Sequence, residues 1–170
     1  MSHLQQLPTV GTQTLRALLR YPDRIAFATD AELVTYAHVA NTIGRIQHVL
    51  AGLGLPRGSG IASLTANRWE SWACAVAAQA LALRTTPLHP LGSLDDHLDQ
   101  LADAEIAVLV VDADHYAARG AELAARADSL KHVYAIGRAD FAPDLMALAQ
   151  GAGAVSPRDL AQPDDACVLA

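Results

Sequence analysis

The chain has 170 residues, enough for one hydrophobic core, since a chain of about 150 residues buries roughly 68–70% of its unfolded surface. Hydrophobic residues make up 52% and aromatic residues only 5%, so the expected core is Ala, Leu, Val and Ile in closely packed helices and sheet, not an aromatic-lined groove. The formal net charge is −6 with the bases scattered singly, which excludes nucleic acid as a partner class, because phosphate-backbone binding needs clustered Lys and Arg.

The opening "MSHLQQLPTV" lacks the basic start and apolar centre of a secretory signal. The apolar windows "IAVLVVD" and "ACAVAAQALAL" are too short or too interrupted to cross a hydrocarbon layer of about 30 Å. Cys74 and Cys167 stand far apart in apolar runs, as buried free thiols do. The expected setting is reduced and cytoplasmic.

In chain order, Ile25 to Ala28 and Leu33 to Thr35 flank "TDAE" as a hairpin. Thr35 is placed to cap a helix whose apolar residues Val39, Ile43, Ile46, Leu50 and Leu53 recur at helical spacing. "GLGLPRGSG" suggests a phosphate-binding loop, yet it follows a helix and opens the strand "IASLT". The dinucleotide fingerprint has the opposite order. A helix stop at Gly52 or Gly54 and a turn from Pro56 to Gly60 fit better.

After "IASLT", Asn67 followed three residues later by Glu70 predicts a capped helix, apolar nearly all round and buried on more than one side. "TTPLHP" reads as a short extended piece, because each proline disfavours the helical region for the residue before it. Ser93 with Asp96 predicts another capped helix, with Leu94, Leu98 and Leu101 on one face. The branched run "IAVLVVD" predicts a parallel strand covered on both faces. A polar helix over about 114–128, the strand "HVYAIG", a short helix near 144–149 and a strand in "DDACVLA" complete the chain. This alternation predicts an α/β fold: a mostly parallel, doubly wound sheet with helices on both faces.

Candidate chemistry is sparse. Seven histidines raise the question of a metal, but no pair has zinc-ligand spacing, so no metal site is expected. Asp112 ends a buried strand as a phosphoacceptor would, but the only lysine, Lys131, precedes the next strand instead of following it. Asp112 is therefore expected in a loop or cap. No Ser lies in a Gly-x-Ser-x-Gly elbow and no Cys has a local base, so no catalytic residue is assigned.

From about Asp23 onward the sequence resembles the adenylate-forming, or AMP-binding, enzymes, closest to the fatty acyl-CoA synthetases. The resemblance rests on "PDRIAFA", on "VTYAHVANTIGRIQHVLAGLGLPRGSGIASLTANRWESW", and on "ALALRTTPLHPLGSLDDHLDQLADAEIAVLVVD". Many members carry Gly where Arg84 stands and Asn where His89 stands. The resemblance implies a lead-in over 1–22 and, over 23–170, the N-terminal α/β portion of an AMP-binding domain, ending before the phosphate-binding loop.

It further implies that a full-length enzyme would use ATP and Mg²⁺ to turn a carboxylic acid, such as a fatty acid, into an acyl-adenylate, then pass the acyl group to coenzyme A. The segment itself is expected to bind no cofactor, to be inactive alone and to self-associate. Asn67 and His89, at the carboxyl ends of predicted strands, are the candidate pocket residues. The alternative is a free-standing, non-catalytic α/β binding domain.

Overall fold

Four parallel strands organise the molecule, which is a computed structural model describing residues 8–169. The elements in chain order are α1 (Val10–Arg20), β1 (Ile25–Ala28), β2 (Leu33–Thr35), α2 (Tyr36–Ala51), β3 (Gly60–Leu64), α3 (Trp69–Ala80), β4 (Arg84–Pro87), α4 (Leu94–Asp103), β5 (Ile106–Asp112), α5 (Ala113–Arg126), β6 (His132–Ile136) and α6 (Leu145–Gly151). The main sheet has the order β4-β3-β5-β6, and β1 and β2 form a separate antiparallel hairpin.

β5 is buried along its whole length, as expected for a strand whose branched residues face helices on both sides. Its side chains divide between two cores. Val108 and Val110 join Ile61, Tyr134 and Ile136 beneath α1, α2, α3 and α6, whereas Leu109 and Val111 join Ala62 and Leu64 beneath α4 and α5. The register slips between Gly60 and Ile61, which pair with Ile106 and Val108 and skip Ala107. Such a bulge breaks the period of two, and Ala107 and Val108 consequently face the same core.

The helices follow their caps and stripes. Thr35 accepts from the His38 backbone N–H, and Val39, Ile43, Ile46 and Leu50 are fully buried on one side of α2. Leu53 lies beyond the helix end, in the turn, and is partly buried. Ser93 and Asp96 form a reciprocal capping box at the start of α4. The expected Asn67 cap is not formed. Arg68 occupies the N-cap position of α3 without a side-chain cap bond, and Glu70 is taken by the Arg68 guanidinium instead.

Residues 10–20 of the lead-in form α1, which buries Leu15 and Leu18; residues 1–7 lie outside the described residues. Two further expectations change. Cys74 is buried but Cys167 only partly so. "DDACVLA" forms an isolated parallel bridge between Val168 and Thr85 at the β4 edge instead of a buried strand. With β4 on one side only, Val168 is 52% exposed.

The segment from Gly153 to Leu169 crosses the helices as a strap. Gln47 on α2 grips the Arg158 backbone twice, donating to its carbonyl at 2.7 Å and accepting from its N–H at 2.9 Å. The Leu160 N–H donates to the Ala80 carbonyl at 2.7 Å, and Arg57 pairs with Asp165.

Candidate functional site

The connections leaving β3 and β5 diverge: β3 runs to α3 over one face and β5 to α5 over the other. Such a reversal opens a crevice at the carboxyl ends of neighbouring strands, where open α/β sheets gather ligands. Here the loops Thr65–Arg68 and Asp112–His115 border a groove of about 710 Å³, closed on its far side by Phe27, Glu32, Trp69 and Trp72. Composition predicts no aromatic groove, yet tertiary folding gathers three of the few aromatic residues at this one place.

Asp112 is the buried centre of the crevice floor. It ends β5, caps α5 and has no solvent exposure. One oxygen accepts from Arg68 Nη1 and from the Asp114 backbone N–H, each at 3.1 Å. The other accepts from the Ala66 N–H at 3.3 Å and from His115 Nδ1 at 3.0 Å. A buried carboxylate is costly unless it is paired and hydrogen-bonded, and these four donors meet that need.

Arg68 ties the two loops together. Its guanidinium contacts both oxygens of Glu70, at 2.9 and 3.2 Å, and Asp114 at 3.2 Å, besides Asp112. The hydrogen bonds to Glu70 first, then the negative field of Glu70 and Asp112, raise its already high pKa further against the opposing cost of partial burial. Arg68 is thus a permanent cation that closes β3–α3 onto β5–α5.

Asn67 lines this groove; His89 does not. His89 sits in the loop after β4, where its Nδ1 accepts from the Leu91 N–H at 3.2 Å. That loop is fastened by His97, which is 1% exposed. Arginine only donates, so the 3.2 Å contact with Arg119 makes His97 Nδ1 the acceptor and leaves Nε2–H to donate to the His89 carbonyl at 2.8 Å. The structure therefore does not bring the two predicted pocket residues into one site. Sequence reading overlooked Arg68 and His115 as partners of Asp112, and Glu70 as a partner of Arg68. The only signal was an acid ending an apolar strand, and nothing local connects it to a loop 44 residues earlier.

Cys74 does not line this groove, and burial pushes its thiol up to about 12; no group of three His, Cys, Asp or Glu side chains among the described residues could hold a metal ion. The Gly-rich turn before β3 lies at the amino end of the sheet, away from the crevice. Gly54 and Gly58 there have φ of +62° and +79°, the backbone conformation that glycine permits in a turn.

The AMP-binding enzyme family matches residues 15–170. This chain belongs to that family. A medium/long-chain-fatty-acid–CoA ligase, FadD8 of Mycobacterium tuberculosis, is 34% identical over 129 residues, which are 75% of this chain and 22% of the relative. The chain thus spans about a fifth of that relative's length.

Among solved structures, the N-terminal domain of FACL13 from Mycobacterium tuberculosis superposes with a TM-score of 0.80 at 22% identity, covering 94% of this chain and 39% of that one. The amide bond synthetase McbA from Marinactinospora thermotolerans gives 0.78 at 25%, covering 93% and 31%. These likenesses bear out the doubly wound α/β fold. No described helix is long and apolar enough to cross a membrane.

Proposed function

We propose that this chain is the N-terminal α/β portion of a fatty acyl-CoA synthetase, with residues 23–170 forming part of its AMP-binding domain. The observation that carries this reading is the 34% identity to FadD8 over three quarters of the chain, within the family match. In the full-length enzyme, ATP and Mg²⁺ would activate a carboxylic acid, here a fatty acid, to an acyl-adenylate, and coenzyme A would accept the acyl group. The setting is cytoplasmic.

The described residues do not fit a bound triphosphate. Such a ligand needs a concentration of backbone N–H donors with a cation, and usually Mg²⁺. Lys131 lies before β6, at the amino end of the strands, with its N–H on the Ala107 carbonyl. Arg68, the guanidinium that lines the crevice, is enclosed by Glu70, Asp112 and Asp114. The segment's part is to provide scaffold and pocket wall, with Asn67 on the β3 side and His89 on the β4 side.

The 170-residue chain alone is therefore expected to be inactive. Carboxylate-dependent exchange of labelled pyrophosphate into ATP, measured with a panel of fatty acids, should stay at background for this polypeptide. Substrate-dependent exchange by the purified chain would overturn this assignment of roles.

A further inference from the structure

The groove at the β3/β5 crevice has a chemistry of its own. Both tryptophans of the chain and one of its two phenylalanines line it. Phe27 meets the Trp72 ring edge-on at 5.6 Å and the Trp69 ring at 6.4 Å, and Trp72 remains 38% exposed. Aromatic clusters left partly open in this way are characteristic of binding surfaces.

The polar atoms still free around those rings are mostly acceptors. Each nitrogen of Arg68 already holds a carboxylate, and Trp69 Nε1 donates to Glu32 Oε1 at 3.3 Å. The second oxygen of Glu32 remains available, as does the Asp114 oxygen not held by Arg68, on a side chain that is 66% exposed. Asp112 takes the Nδ1–H of His115, which in the neutral ring leaves the Nε2 lone pair as an acceptor. Glu32, Glu70, Asp112 and Asp114 face a single internal cation, so the negative charge is in excess.

We propose that this groove docks an arginine side chain carried by an extended polypeptide segment. A guanidinium offers five N–H donors and no acceptor, and its plane stacks on aromatic faces. Those properties complement acceptors arranged around tryptophan. A lysine would bring the charge without the plane, and an anion would meet repulsion from the carboxylates. The groove volume of about 710 Å³ far exceeds one guanidinium and leaves room for the residues that flank it. This docking requires neither ATP nor an acyl substrate.

Because both tryptophans line the groove, intrinsic fluorescence reports occupancy directly. The 170-residue chain would be titrated with a short, end-blocked Gly/Ser peptide bearing one arginine, with the same peptide carrying lysine or citrulline, and with free arginine amide. A saturable change with the arginine peptide is expected. Binding should weaken by about tenfold or more with citrulline, which keeps the shape and loses the charge; tenfold corresponds to about 1.4 kcal/mol. A similar loss is expected in the Glu32→Gln/Asp114→Asn variant, checked for folding by circular dichroism.

Lysine peptide and free arginine amide should bind more weakly than the arginine peptide. No saturable change, or equal binding of the citrulline peptide, would overturn the proposal. Equal binding of free arginine amide would reassign the groove to a small-molecule cation and overturn the polypeptide part. The citrulline comparison decides even if the double variant fails to fold.

Discussion

At Asp112, a residue ending a buried strand carries a charge that the interior tolerates only through its partners. Arg68 is the partner whose opposite charge is permanent, and it is the link between the β3 and β5 loops. Its replacement in Arg68→Ala should destabilise the chain by about 2 kcal/mol, in the range for a hydrogen bond to a charged group. Urea denaturation monitored by circular dichroism measures this. Asp112→Asn should also destabilise, because the amide cannot accept from all four donors. If neither variant moves the urea midpoint, the crevice floor is not held by this pair. The same residues explain a failed sequence reading. Asn67 and Glu70 have the spacing of a capping box, but spacing cannot reveal that a neighbouring guanidinium will take the glutamate. Long-range ion pairs compete with local caps, and only the fold decides between them.

Elements were legible where a period ran long enough. The stripe on α2, the capping box on α4 and the unbroken apolar run of β5 all lie where the sequence puts them. α1 was not legible although its Thr9 cap and its buried Leu15 and Leu18 are local features, because two large buried apolar side chains in 11 residues make too short a stripe to fix a period. The strap was equally hidden, since it is held by side chains from distant helices. Two helical glycines test its importance. A Cβ on Gly44 would lie 2.0 Å from the Val155 carbonyl oxygen, against backbone that cannot easily yield, whereas one on Gly151 meets nothing within 4 Å. Helix propensity alone favours alanine at both. Gly44→Ala should instead destabilise by about 1–3 kcal/mol, the cost of overpacking, while Gly151→Ala should be neutral or stabilising by up to about 1 kcal/mol. Thermal melts of the two variants give the signs. A stabilised Gly44→Ala would mean that the strap does not pack on α2 as described.

On the scale of the whole molecule, the sheet has unequal edges. β6 receives a parallel bridge between Ala135 and Asp144. Beyond β4 lies the bridge at Val168, with the Thr85 N–H donating to the Cys167 carbonyl at 2.9 Å and the Leu169 N–H to the Thr85 carbonyl at 3.0 Å. These bonds use one side of the segment's backbone, and the other side is left for a further strand. Leu160, Val168 and Leu169, along the strap, are 56%, 52% and 41% exposed. Hydrophobic sheet edges recruit other chains, and a contiguous apolar patch beyond a few hundred Å² commonly marks a contact surface. We predict that the 170-residue chain self-associates through this edge, with weight-average mass rising with concentration in sedimentation equilibrium. Val168→Lys should shift it toward monomer without changing the thermal midpoint appreciably, since the side chain is half exposed and charged residues protect natural edges. A native chain that remains monomeric at high concentration would show that the strap already closes the sheet. Association that persists unchanged in Val168→Lys would place the contact elsewhere.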